Sequence, residues 1–292
     1  MIHSSISLAL VAAVGYTLAA LFLKSSLQRG ANAAQVNFAS NLAMGLVVQP
    51  LWFFQGPEAG PPLWQPVVCA IAFFLGQVFT FAALSRGDVS VATPMMGTKI
   101  ILVTAMNALV FGQAVSQRWW WAAIIGSVSI WLLAGVAPRG KHHDVFLTAV
   151  LALASAFFFS LTDVLVQHWA AAADELEFLP TMFLATAVLS SLFYLAMDRS
   201  ALSPPRAVMP SLATGVTLLG LQAGVMFLAL AWSHDATGAN VLYSSRSIWS
   251  VVIAWTAGHL FGLRDVEAGV PVMLSRLAGA LLLFGAIILI LL

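Results

Sequence analysis

The sequence predicts an all-α integral membrane protein: ten transmembrane helices arranged as two inverted repeats of five. Three observations carry that expectation. The 292 residues are 61% hydrophobic and only 8% charged, whereas soluble domains are about half apolar and about a quarter charged. The apolar residues fall into ten runs, most long enough at 1.5 Å per helical residue to cross a hydrocarbon layer ~30 Å thick. Finally, the stretch Val89–Gly112 is written a second time at Thr237–Gly262. A shift of about 147 residues lays Lys99 on Arg246, Thr98 on Ser245, Ala92 on Ala239 and Asp88 on Asp235.

In order, the runs are Ile6–Leu23, Val36–Phe54, Pro66–Leu84, Val89–Gly112, Trp119–Val136, Val145–Gln167, Phe178–Met197, Val208–Trp232, Thr237–Gly262 and Pro271–Leu292. They lack the two-residue alternation of barrel strands and are about twice too long for them. Short loops holding Gly, Pro or charge separate many of them: Gly56–Pro62, Arg86–Asp88, Pro138–Asp144, Ser203–Arg206 and Arg264–Glu267. Only His3 precedes the first run, which continues to Leu23, so the N-terminus reads as a span and not as a cleavable signal. Five spans per half is an odd number, so the second copy inserts upside down. The halves are residues 1–138 and 139–292.

Loop charges orient the chain. Loops after odd-numbered spans, with the base of the tenth, carry Lys24, Arg29, Arg86, Arg139, Lys141, Arg199, Arg206, Arg264 and Arg276. Loops after even-numbered spans carry only Arg118, together with the acids Asp174, Glu175 and Glu177. Basic loops stay in the cytoplasm, which places both termini outside. The compartment expected is the inner (plasma) membrane, crossed many times.

Composition also excludes functions. Twelve Lys+Arg and a net charge of +1 cannot track a phosphate backbone, so no nucleic acid is expected. The single cysteine, Cys69, lies inside an apolar run and forms neither an internal disulfide nor a metal site. His142, His143 and Asp144 read as a solvated loop, and no metal or other cofactor is expected. There is no phosphate-binding Gly-x-x-x-x-Gly-Lys-[Ser/Thr] loop, no His-Glu-x-x-His run and no pair of intramembrane aspartates. ATP-driven transport and intramembrane catalysis are therefore not expected.

The two repeated cations are the strongest functional signal. Ten helical steps carry Lys99 roughly 15 Å into the bilayer, and nine carry Arg246 roughly 14 Å. A cation at that depth costs at least ~2.5–3.5 kcal/mol and faces protein, water or ligand. Inverted repeats place transporter sites at such a position, between halves that rock to alternate access.

Ten short-looped spans in two fives, the Ala82-Ala83-Leu84-Ser85 turn before the fourth span and the Gly238-Ala239-Asn240 start of the ninth resemble the drug/metabolite transporter superfamily. The likeness covers nearly the whole chain. It implies a central cavity between two five-helix halves, with the fifth and tenth helices mainly structural. In sugar-phosphate and nucleotide-sugar transporters of the superfamily, basic residues of helices 4 and 9 hold the phosphate; Lys99 and Arg246 stand in the corresponding stretches. Amino-acid exporters share the fold and often lack such a pair. The superfamily's usual orientation has cytoplasmic termini, opposite to the loop-charge count, and the count is followed here.

Two readings of the cations stay open. Lys99 and Arg246 form a two-pronged anion clamp, the guanidinium forked and the ammonium a point charge, or an internal acid neutralises one of them. Asp163 is that acid; it could equally couple protons or meet a substrate ammonium. Tyr16, Gln77 and Tyr243 are the polar neighbours chosen as ligands. Met95, Met96, Leu102, Val103, Trp249 and Ser250 complete a wall by helical spacing, while Asn37, Asn41, Thr80 and Gln222 read as interhelical hydrogen-bond formers. Trp52, Trp64 and Trp119–Trp121 are interface anchors, Gly126 and Gly279 close-packing sites, and Pro94 a kink before Lys99.

The function expected is a secondary transporter of a small anionic or zwitterionic metabolite, monomeric or homodimeric, with protons as a candidate coupling ion. The alternatives are an amino-acid or drug exporter and a translocase for a phosphorylated lipid carrier.

Overall fold

The helices form where the apolar runs predict them, and their ends follow local capping chemistry. A computed structural model describes residues 6–56, 60–86, 92, 95–134, 145–195, 204–257 and 270–291. Asp88, Pro94 and the 138–144 link with His142, His143 and Asp144, where the repeat boundary was placed, lie outside the described residues. Chain order gives α1 (Leu8–Gln28), α2 (Ala33–Val47), a 3-10 turn (Gln49–Phe54), α3 (Trp64–Arg86), α4 (Lys99–Leu109), α5 (Gln117–Ala134), α6 (Val145–Trp169), α7 (Glu175–Leu195), α8 (Met209–Ser233), α9 (Ala236–Ser244), α10 (Arg246–Ala257) and α11 (Val270–Leu291). Five of these segments are clearly long and apolar enough to span a membrane: Leu8–Gln28, Trp64–Leu84, Phe146–Trp169, Glu175–Leu195 and Arg206–Ser233.

Several boundaries differ from expectation. The second span starts at Ala33, not Val36, because Asn32 and Gln35 close a reciprocal capping box: the Asn32 side chain accepts from Gln35 N, and the Gln35 side chain from Asn32 N. It gives way to a 3-10 turn at Gln49, where Pro50 follows. The seventh span starts at Glu175, since Asp174 accepts from Leu176 N and two acids meet the positive helix end. The ninth span is two helices, α9 and α10, divided at Ser245.

Packing repeats itself when the halves are exchanged. Helix α1 packs along α8, as α6 does along α3; α2 meets α8, as α7 meets α3; and α1 meets α9 and α10, as α6 meets α4. The α2–α7 and α5–α11 pairs join matching helices of the two halves. Small residues permit these approaches. Ala9, Ala12 and Ala13 of α1 are fully enclosed. A Cβ added to Gly15 would stand 3.0 Å from the Cβ of Gln222, and one added to Gly45 would stand 2.7 Å from that of Ala187. Close backbone approach is what holds helices together where lipid removes the hydrophobic drive. Phe178, Leu179, Met182 and Phe183 of α7 fill the centre, whereas Leu46, Phe53, Trp131 and Leu192 point outward, as lipid allows.

A two-residue reversal joins α8 to α9. His234 adopts the left-handed conformation (φ 52°) that ends α8. Asp235 then caps α9, its carboxylate accepting from Gly238 N at 2.7 Å. Burial pushes this carboxyl up to about 6, against the pull of the Gly238 and Thr237 N–H groups. A folded value above the unfolded one of about 3.9 means the native state holds the proton more tightly. Stability therefore falls as pH rises from about 4 through about 6. Asp235→Asn, which still caps, is expected to flatten that slope in detergent melts and to raise stability at pH 7.5 by on the order of 2 kcal/mol.

Candidate functional site

Both repeated helices break at the same place. At Thr98 and at Ser245 the α-helical ladder tightens to i→i−3 bonds: Thr98 N donates to Met95 O at 3.2 Å, and Ser245 N to Leu242 O at 3.1 Å. Hydroxyls bond backbone carbonyls at both breaks, Thr98 Oγ1 reaching the same Met95 O at 2.7 Å and Ser244 Oγ reaching Val241 O at 2.6 Å. The residue after each break is the cation. Its carbonyl is caught by a hydroxyl from the first helix of the other half: Ser160 Oγ on Lys99 O at 3.1 Å, Thr17 Oγ1 on Arg246 O at 3.3 Å.

The cations then part company. Lys99 Nζ lies 2.7 Å from Asp163 Oδ2, which also accepts from Asn240 Nδ2 at 2.7 Å. Asn240 is anchored in turn on Ala236 O at 2.8 Å. Lys99 further sits 5.7 Å from the Phe159 ring centroid. Arg246 has no carboxylate partner among the described residues. Its guanidinium carbon lies 4.6 Å from the ring centroids of both Tyr16 and Tyr243, which meet edge-on at 6.1 Å. The Tyr243 hydroxyl donates to Gln222 Oε1 at 3.1 Å, and Gln222 is held against α1 by the close approach at Gly15.

The repeat explains the difference. Tyr16 and Asp163 stand the same spacing of about 147 residues apart as Lys99 and Arg246. One half therefore answers its cation with a carboxylate and the other with an aromatic ring. Tyr16, Lys99, Tyr243 and Arg246 are all half-buried, so the interior beside them stays accessible. Gln77 is buried on α3 with its Oε1 lacking a hydrogen-bond partner, so that oxygen is not tied to either cation. Of the predicted wall, Met95, Met96 and Leu102 are half-buried and Val103 is buried. Trp249 is 39% exposed and Ser250 is exposed; they turn away from the interior and are not part of it.

Residues 3–135 match the EamA-like transporter family. The matched stretch is somewhat under half of the 292 residues. An "uncharacterized transporter" of Archaeoglobus fulgidus is 28% identical over 109 residues, 37% of this chain; the match spans about a third (34%) of that relative's own length. A solved crystal structure aligns over 98% of this chain and 96% of its own with a TM-score of 0.76 at 18% identity, a likeness of fold.

Sequence reasoning missed a second polar layer in this bundle. One turn beyond Asp163, Gln167 accepts from Asn107 Nδ2 at 3.1 Å and Ala236 N at 2.8 Å, and donates to Gln113 Oε1 at 3.1 Å. Helices α4, α6 and α9 are thus stitched twice, by Lys99–Asp163–Asn240 and by Asn107–Gln167–Ala236. Gln167 and Asn107 are nearly inaccessible. Each is one to two turns from a site residue on its own helix, a spacing that signals them in retrospect.

Removing one member of a buried ion pair costs about 3–5 kcal/mol because the other charge is left unanswered. Asp163→Ala is expected to lose that much in detergent melts. The Lys99→Gln/Asp163→Asn double variant is expected to lose markedly less than the sum of its single variants; additive losses would mean the pair is not coupled.

Proposed function

We propose that the protein is a secondary transporter that moves a small organic anion or zwitterion by alternating access, with residues 1–138 and 139–292 as its two inverted halves. The carrying observation is Arg246: a guanidinium at mid-span, held by two tyrosine rings, with no protein carboxylate among the described residues. With the rings on two adjacent sides of it, the guanidinium keeps N–H groups on its remaining side to fork onto a carboxylate or phosphate. Tyr16, Tyr243 and Gln222 orient that fork, Gln77 offers a further polar contact, and Lys99 with Asp163 forms the opposite wall. The substrate enters from a compartment bounded by the plasma membrane, with the basic loops cytoplasmic by the charge rule. The family that residues 3–135 match is one of transporters, which supports this reading.

Alternating access needs a seal that opens. The Asn107–Gln167–Ala236 layer lies between the site and the face carrying the acidic loops, on the three helices that also hold the ion pair. It is read here as the gate on that face.

Arg246→Ala is expected to abolish stabilisation by anionic ligands in thermal-shift assays while leaving a folded, monodisperse protein. A ligand at 100 times its Kd stabilises by ~2.7 kcal/mol, well within detection. For the gate, a cysteine is placed at Thr237 in a Cys69→Ala background. Gln167→Leu should speed its labelling by a membrane-impermeant maleimide from the acidic-loop face at least tenfold, as judged in oriented vesicles; an unchanged rate would remove that role.

A further inference from the structure

Among the described residues, the candidate site carries three formal charges in two unequal arrangements. Lys99 and Asp163 form one ion pair at 2.7 Å, sharing Asn240. Arg246 stands alone between Tyr16 and Tyr243. Together they leave the described site one unit positive. Resting on the reading of Arg246 as an anion site, we propose that this protein selects organic monoanions, single carboxylates above all. We further propose that Asp163 is the residue that sets this preference.

The chemistry follows from what each group has left to offer. Arg246 carries a full charge with no acid to answer it, so a ligand with one negative charge restores neutrality in a region where any residual charge is costly. A dianion overshoots, because Lys99 is already spent on Asp163. A zwitterion brings an ammonium that needs a carboxylate, and Asp163 Oδ2 is engaged by Lys99 and by Asn240. Tyr16 and Tyr243 flank the guanidinium on two adjacent sides, their ring centroids 6.1 Å apart and each 4.6 Å from its carbon, so a ligand carboxylate reaches it from the remaining side and can bind as a two-oxygen fork. Half-buried Phe159 and the tyrosine rings give the rest of the ligand an apolar body to lie against.

The internal repeat makes the assignment specific. Had the first half carried an acid where Tyr16 stands, Arg246 would be neutralised as Lys99 is, and no net charge would remain for a ligand. Had the second half carried a tyrosine where Asp163 stands, both cations would be free and a dianion would fit. Asp163 thus acts on selectivity through Lys99, as a positioning residue. Arg246 is the group that touches the ligand.

The test compares three probes of similar size on the purified full chain: benzoate as monoanion, phthalate as dianion and phenylalanine as zwitterion. Apparent Kd values come from thermal-shift titrations, with Arg246→Ala as the control for site binding. Wild type is expected to bind benzoate at least tenfold more tightly than either rival. Asp163→Asn, which frees Lys99, is expected to shift the phthalate-to-benzoate ratio at least tenfold toward phthalate. Because that variant leaves a cation unpaired and can fail to fold, the Lys99→Gln/Asp163→Asn double variant is measured alongside; it restores a net charge of one and should keep the wild-type order. A ratio unmoved by Asp163→Asn, or loss of benzoate binding in the folded double variant, overturns the selectivity proposal while leaving Arg246 as an anion site. Absence of any anion response in wild type overturns both.

Discussion

A cation at the centre of a bilayer must be answered by something, and this protein answers its two cations in different ways. Lys99 receives Asp163, at 2.7 Å and 5% side-chain exposure; Arg246 receives two tyrosine faces. The rest of the architecture serves that contrast. Helices α4 and α10 begin at the cations because Thr98 and Ser245 tighten the ladder just before them. Helices α1 and α6 supply Tyr16 and Asp163, and each also lends a hydroxyl to the carbonyl of the cation it faces.

Small residues decide whether those helices can come close enough. Gly15 lets α1 lie against Gln222 of α8, so the tyrosine that borders Arg246 and the amide that orients Tyr243 are set by one contact. The same helices that carry the ion pair carry the amide layer around Gln167. Motion of α4 relative to α6 and α9 would therefore strain both layers at once, which would couple the proposed site to the proposed gate.

Much of this was legible in the residues. Apolar run length gave the spans, and the shift by about 147 residues gave the repeat and both cations. Legibility ended where partners lie on other helices. Asp163 was visible as an acid, but whether it meets Lys99 or Arg246 depends on packing that one chain of letters does not encode. Trp249 and Ser250 lie within one turn of Arg246, yet proximity along a helix is not a shared face, and they point outward. The ninth span hid its break because Ser244 and Ser245 are tolerated in a continuous apolar helix; only their hydroxyl and i→i−3 bonds reveal it. Gln167 passed unnoticed as the apparent end of a span, although it joins three elements.

The most direct measurement is a structure of the full chain with a heavy-atom monocarboxylate such as 4-iodobenzoate. Anomalous density beside Arg246, with the carboxylate on the side of the guanidinium that Tyr16 and Tyr243 leave open and the Lys99–Asp163 pair intact, is the expected result. A carboxylate bound on Lys99 with Asp163 displaced, or no density near Arg246 at saturating ligand, would contradict it.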